Sequence, residues 1–273
     1  MKYAICNETF EGWDHERVCR FVAETGYTGL ELAPFTLAPL ITDVSAERRK
    51  ELRKQAESHG VQIMGLHWLL AKTQGFMLTS PDAEIRKRTG LYLAELAHAC
   101  RDFGAEILVL GSPMQRKIPE GHTRDQAEDF AIDAIRHALP ELEKSKVYLC
   151  LEPLAPTETD FLQTAAEGVK MCERIGHPQV QLHLDVKAMS SEKEPVPTVI
   201  RQFHPGMKHF HANDANRRGP GFGNTDFVPI FQALKDVKYA GWVSVEVFDY
   251  TPDPETIARE SLRHMRECEG KMV

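Results

Sequence analysis

The chain has 273 residues, of which 42% are hydrophobic and 27% charged, as in an ordinary globular protein with one large core. A net charge of −7 argues against nucleic acid as the main partner, because a phosphate-binding surface would be basic. The sequence shows no apolar segment long enough to span a membrane and no signal peptide, and its six scattered cysteines indicate free thiols. We therefore expect a cytoplasmic protein.

Eight short apolar runs alternate with longer amphipathic segments along the whole chain. In order they are KYAICNE, GLELAPF, VQIMGLHWLL, AEILVLGSP, VYLCLEP, VQLHLDV, MKHFHAND and WVSVEVF. The alternation indicates a parallel sheet, and the near-continuous hydrophobicity suits strands that are buried on both faces. Since the length is close to the roughly 250 residues typical of this fold, the pattern predicts a single (β/α)8 TIM barrel domain over residues 1–273.

Several helix boundaries carry local signals. Ser80-Pro81 predicts a helix start with a serine cap and proline in the first position. Thr123 and Gln126 have the spacing of a capping box, and Asp253-Pro254 predicts the start of the last helix. Pro140 is expected to break or kink the helix that precedes it.

Four successive strands end in polar residues, namely Glu152, Asp185, His211 and Glu246. Each is the last or nearly last inward residue of its strand, at the end of the barrel where catalysis takes place on this fold. Any one of them alone more often makes a local salt bridge. Buried carboxylates that crowd one point are costly without a cation, so together they predict a divalent metal site. Three oxygen ligands with one nitrogen favour Mn2+, Mg2+ or Co2+, with Zn2+ as the alternative.

In their contexts LEP, HLD, HFHANDANR and VSVEVF, these residues resemble the metal ligands of the xylose isomerase-like TIM barrels. More narrowly, the chain resembles the sugar phosphate isomerase/epimerase family, including ketose 3-epimerases of the D-tagatose 3-epimerase type. The resemblance covers essentially the whole chain and is strongest between Glu152 and Glu246. It implies one divalent metal ion, and a sugar, sugar phosphate or related keto-polyol as the substrate.

The resemblance also implies substrate contacts. Glu158 matches the second Glu of the family's strand-five loop, and Arg217 stands in the place of a substrate-contacting Arg. Ala188 stands where the epimerases carry a substrate-contacting His, and Ala155 stands where the strand-five loop usually has Asn. Lys187 shares the inward parity of the strand-six Asp, so we predict that it reaches the pocket together with Arg217. The alternative is that Lys187 pairs with a structural acid and Arg217 lies on the surface.

Two further positions, His67-Trp68 and Glu31, each allow two interpretations. His67-Trp68 closes the third strand and is interpreted as a substrate-facing His beside an aromatic wall, the alternative being a capped core pair. Glu31 either bonds a sugar hydroxyl or pairs with a neighbouring base. His183 and His209 are expected to be interior residues below the ligands rather than ligands themselves.

The implied mechanism uses Glu152 and Glu246 as a pair of acid–base catalysts on opposite sides of the substrate. A metal would polarise the carbonyl and stabilise an ene-diolate. Return of the proton to the other face of the same carbon is epimerisation, and return to the neighbouring carbon is isomerisation. The residues alone do not choose between these outcomes.

Three other functions use the same barrel. A dehydratase of a keto-polyol, of the inosose dehydratase type, would reuse the metal and the base. A DNA repair enzyme of the endonuclease IV type would need more His ligands and a less acidic chain. A non-catalytic sugar-binding barrel would not need an intact ligand set. We expect a small-molecule carbohydrate as the partner, with no nucleic acid and no membrane, and leave a homo-oligomer open.

Overall fold

A computed structural model describes all residues from 1 to 273. Eight parallel strands pair in sequence order, and β8 pairs with β1 to close the barrel, which confirms the predicted TIM barrel. The strands are β1 Lys2–Cys6, β2 Gly29–Leu32, β3 Gln62–Leu66, β4 Ile107–Leu110, β5 Tyr148–Leu151, β6 Val180–Asp185, β7 Met207–Ala212 and β8 Trp242–Val245.

Helices cover the outside of the barrel, and two connections, those after β4 and β6, contain more than one α-helix. None of the helices combines the length and hydrophobicity needed to span a bilayer. The helices are α1 His15–Thr25, α2 Ala46–Ser58, α3 Ala83–Asp102, α4 Arg124–Arg136, α5 Leu139–Ser145, α6 Ala165–Ile175, α7 Val186–Met189, α8 Val196–Phe203, α9 Phe227–Asp236 and α10 Pro254–Glu269.

Most of the predicted helix boundaries are confirmed. The capping box of α4 is present, Asp253 caps α10, and Pro140 lies in the first turn of α5 after α4 has ended. The predicted start of α3 at Ser80 was two residues early. Asp82 is the cap, because its side chain accepts the hydrogen bond from Glu84 N, whereas Ser80 Oγ accepts from Asp82 N.

The barrel interior is filled by an apolar cluster of six residues near its amino-terminal end, whose members come from five strands. Trp242 is the largest of them, and it fits because Gly29 on the neighbouring wall has no side chain. A Cβ at Gly29 would lie 2.6 Å from the indole ring. The polar layer is therefore displaced towards the carboxyl ends of the strands. All six cysteines are free, as predicted.

Candidate active site

The structure brings the four predicted ligands to one point at the carboxyl rim of the barrel. Asp185 and His211 are register partners on β6 and β7, while Glu152 and Glu246 directly follow β5 and β8. Glu152, Asp185 and His211 each present an atom within 4.8 Å of the others. Glu246 joins them through its Oε2, which lies 3.1 Å from His211 Nδ1. All four side chains are buried.

Glu31, on the opposite wall of the barrel, fixes the orientation of His211. Its Oε2 lies 3.1 Å from His211 Nε2 and 3.0 Å from His209 Nε2, so Glu31 pairs with bases and does not face a sugar. Burial opposes ionisation of Glu31, but the two imidazoles lower its pKa well below the ordinary value. Because Nε2 of His211 is engaged by Glu31, Nδ1 is the nitrogen that faces the other ligands.

The site carries more negative charge than its own residues neutralise. Burial raises the pKa of Glu152 well above its ordinary value, and the carboxylates of Glu246 and Asp185 raise it further. Burial is also the main reason that the pKa of Asp185 rises to about 6. Burial alone would lower the pKa of His211, yet the surrounding carboxylates raise it well above the usual range. A divalent cation would remove this excess of like charge, so the donor set fits a metal.

Hydrogen bonds from outside the ligand set hold two of the carboxylates. Ala188 N donates to Asp185 Oδ1 over 2.7 Å, and Asn213 Nδ2 donates to the other oxygen of Asp185. Trp68 Nε1 donates to Glu246 Oε1 over 2.6 Å. These donors are typical of the supporting contacts around metal ligands.

Glu152 is positioned by its neighbours on β4 and the following loop. A Cβ at Gly111 would overlap Oε2 of Glu152, so only glycine leaves room for this carboxylate. Arg116 is 1% exposed and donates from Nη1 to the backbone oxygen of Glu152 over 2.6 Å, and burial lowers its pKa to about 10. His183 was predicted to be interior. It is fully buried, and its Nε2 lies 3.8 Å from Glu152 Oε1, at the edge of the ligand group.

A cavity of about 350 Å³ opens at this site, and two of the four predicted ligands, Glu152 and Glu246, line it. Its volume is within the size range of small-molecule pockets. The Trp68 ring stacks on Phe248 with centroids 5.9 Å apart and forms an aromatic wall. Arg217 is exposed, lines the cavity and makes no salt bridge. Polar groups in the lining include Ser112, Gln115, Glu152, Glu158, Arg217 and Glu246.

Lys187 lies beside this cavity, but not for the reason predicted. Strand parity does not extend to it, because β6 ends at Asp185 and α7 begins with the next residue. Its Nζ donates to Glu158 Oε1 over 2.7 Å and lies 4.1 Å from the centre of the Phe248 ring. The second oxygen of Glu158 is buried and has no hydrogen bond, so it is free to accept one from a ligand.

His67 is fully buried and does not line the cavity, whereas the adjacent Trp68 does. Its Nε2 lies 2.9 Å from Oε2 of Glu8. Burial opposes the imidazolium, but Glu8 outweighs it and raises the pKa of His67 to about 9. Sequence reasoning missed Glu8, which lies in a short 3-10 helix, Asn7–Phe10, directly after β1.

Comparisons with known proteins agree with this architecture. The model of a family described as xylose isomerase-like TIM barrel matches residues 19–268. A D-psicose 3-epimerase of Ruminiclostridium cellulolyticum is 28% identical, over 90% of this chain and 82% of that protein. A D-psicose 3-epimerase of Agrobacterium fabrum is 29% identical, over 91% of this chain and 85% of that protein.

The fold is also that of a solved D-psicose 3-epimerase determined in the presence of D-fructose. The two structures superpose with a TM-score of 0.86 at 23% identity, over 99% of this chain and 100% of the other. Since the family match spans nearly all of the barrel, including the four strand ends that converge on the site, this chain belongs to the xylose isomerase-like TIM barrel family.

Proposed function

We propose that this protein is a divalent-metal-dependent epimerase or isomerase of a ketose or a related keto-sugar. The observation that carries the proposal is the convergence of three buried carboxylates and one imidazole beneath a cavity that two of those carboxylates line. The similarity to proteins named D-psicose 3-epimerase over most of the chain supports the same conclusion and favours epimerisation.

In this proposal the cation is held by Glu152, Asp185, His211 and Glu246. Three hard carboxylates favour Mn2+, Mg2+ or Co2+, with Zn2+ as the alternative. When bound, such a cation supplies a Lewis acid that polarises the substrate carbonyl and the neighbouring hydroxyl.

Glu152 and Glu246 are the proposed acid–base pair. They follow β5 and β8, with β6 and β7 between them, and both line the cavity. A sugar between them therefore presents a different face to each carboxylate. One Glu removes the proton from the carbon beside the carbonyl, and the other delivers a proton to the opposite face of the same carbon, which inverts it. Delivery to the neighbouring carbon instead gives isomerisation.

Glu158, Lys187 and Arg217 are the proposed substrate contacts. Arg217 has no salt bridge and Glu158 has one oxygen without a hydrogen bond, so both have free capacity for sugar hydroxyls. The Lys187 ammonium lies at the same cavity wall, next to the position where Ala188 replaces the His of the epimerases. We do not retain His67 as a direct contact, since its ring is buried against Glu8.

Proton exchange in D2O, followed by NMR, tests the proposal. With Mn2+ and a panel of ketohexoses, the wild-type protein should exchange the proton on the carbon next to the carbonyl. Glu152→Gln and Glu246→Gln should each slow this exchange by at least about 100-fold, the lower range for loss of a general acid or base. Glu106→Gln is the matched control, because Glu106 lines a cavity at the amino-terminal end of the barrel. Wild-type exchange in either active-site variant would disprove the role assigned to that residue, and no exchange by the metal-loaded wild type would overturn the function.

A further inference from the structure

A second cavity of about 340 Å³ lies beside the catalytic one and has no part in the chemistry proposed above. Its lining comes from the segments that follow β1, β2, β3 and β8. Trp68 and Lys72 line both cavities, so the two spaces share one wall. Each cavity alone reaches the lower end of the roughly 300–1,000 Å³ range of small-molecule sites.

The floor of the second cavity contains a carboxylate without a hydrogen bond. Glu8 is 4% exposed, and neither of its oxygens has a hydrogen-bond partner. Glu8 Oε2 forms an ion pair with His67, whose Nε2 lies 2.9 Å away, whereas Oε1 has neither a hydrogen bond nor an ion-pair partner. Buried polar groups are nearly always hydrogen-bonded, because leaving one unpaired costs free energy. Oε1 of Glu8 therefore lacks a donor, and a ligand hydroxyl group would supply one.

The sides of the same cavity are aromatic. Trp13, Phe35, Trp68 and Tyr250 all line it and all remain partly exposed. Lys72 Nζ lies 4.1 Å from the centre of the Phe35 ring and has no salt-bridge partner. Rings beside a carboxylate and an ammonium group suit a ligand with apolar C–H faces and many hydroxyls, which is the surface of a sugar ring.

The wall between the cavities is held in a fixed position. Trp68 has φ +51°, a left-handed conformation that costs of order 1–3 kcal/mol in a bulky residue and persists only when the surroundings enforce it. Its hydrogen bond to Glu246 and its packing against Phe35 and Phe248 provide that constraint. The indole therefore contacts the catalytic carboxylate on one side and the second cavity on the other.

From these observations we propose that the second cavity is a subsite for a second sugar ring, so that the substrate is a ketose carrying a glycosyl group. The identity of the reacting ring rests on the function proposed above, but occupation of the second cavity does not depend on turnover. A single ketohexose occupies the catalytic cavity, and the attached ring passes the Trp68 indole to bond Glu8 and to contact the part of Trp13 that lines the cavity, one face of Trp13 being covered by the Arg17 guanidinium at 3.5 Å.

Isothermal titration calorimetry on the metal-loaded, full-length protein tests the subsite. D-Fructose is compared with its 4-O- and 6-O-glucosyl derivatives, which contain the same ketose unit and differ in where the second ring is attached. At least one disaccharide should bind about tenfold more tightly than fructose, which is equivalent to about 1.4 kcal/mol. Equal dissociation constants for fructose and both disaccharides, or no binding of the disaccharides, would overturn the proposal.

Two variants should abolish the preference for the disaccharide over fructose by different means. Trp13→Ala removes a stacking surface, and Thr36→Trp fills the cavity from an exposed position. Met114→Trp is the control, because Met114 lines only the catalytic cavity. The larger side chain should weaken the binding of all three sugars without changing the ratio of their dissociation constants. A wild-type ratio in both Trp13→Ala and Thr36→Trp would refute the subsite. Because Trp13 packs on Phe10 and Phe21, thermal unfolding of each variant is recorded, and Thr36→Trp gives an answer independent of that packing.

The outcomes also separate this inference from the proposed function. Proton exchange on fructose without any preference for a disaccharide would refute the subsite and leave the catalytic assignment intact. Tight disaccharide binding without proton exchange on any sugar would support the subsite and refute the catalytic assignment.

Discussion

Trp68→Phe is predicted to impair catalysis through Glu246 while leaving the aromatic wall in place. The Phe ring can still pack between Phe35 and Phe248, so the change mainly removes the N–H that Glu246 Oε1 accepts over 2.6 Å. Hydrogen bonds to charged groups contribute about 1.5–3 kcal/mol. If that stabilisation is needed to hold Glu246 in its reactive position, kcat should fall by about tenfold to 150-fold.

The assay is steady-state epimerisation with metal content measured on the same samples. The loss should appear in kcat more than in KM, because the N–H contacts the proposed base and not the substrate. Phe35→Leu is the control, since it changes the packing beside the indole but keeps the N–H in place. A Trp68→Phe enzyme with wild-type kcat and full metal content would refute the idea that the indole positions Glu246. Equal losses in both variants would assign the effect to packing.

Three further outcomes are expected. Lys187→Ala and Arg217→Ala should each raise KM or lower kcat by at least about tenfold, or about 1.4 kcal/mol, and unchanged steady-state kinetics in both would show that the sugar is recognised elsewhere. Gly111→Ala should weaken Mn2+ binding measured by calorimetry, because its methyl group overlaps the Glu152 carboxylate, and wild-type affinity would contradict that crowding. Metal affinity should rise with pH, because the pKa values of Glu152 and His211 are raised in the metal-free site and both groups must lose protons to bind a cation. Calorimetry in buffers of different ionisation enthalpy measures the protons released on binding, and finding no release would contradict this prediction.

The sequence was sufficient to predict the barrel and the convergence of the four ligands. Both predictions depend on local periodicity, because strand ends in a closed parallel barrel meet at one rim whatever the details of packing. The same argument failed for Lys187, where the chain leaves the strand at Val186 and parity no longer applies. A different argument, helix capping, misplaced the start of α3, because Asp82 and Ser80 are both good caps and only the tertiary path of the chain selects between them.

The supporting residues could not be predicted because their roles exist only across the barrel. Gly111 matters through the carboxylate of Glu152, which follows the next strand, and the Trp68 N–H matters through Glu246, which is 178 positions away. Glu31 had two open interpretations until its distances to His209 and His211 were known. Glu8 was missed for a similar reason, since it lies in a 3-10 helix after β1, where the alternation of the strand no longer applies.

The proposed ligands and four of the residues that orient them come from different halves of the barrel, whereas Ala188 and Asn213, which donate to Asp185, lie in the same half as the ligands. All four ligands follow or end β5 to β8, whereas Glu31, Trp68, Gly111 and Arg116 belong to the segments from β2 to β4 and the loop after it. A chimera that joins residues 1–145 of this chain to the second half of a relative would therefore take all four proposed ligand positions from the relative and these four supporting residues from this chain. Recombination at this junction offers a way to alter reactivity without changing a proposed ligand, and an isolated second half would carry every proposed ligand without these four supporting residues.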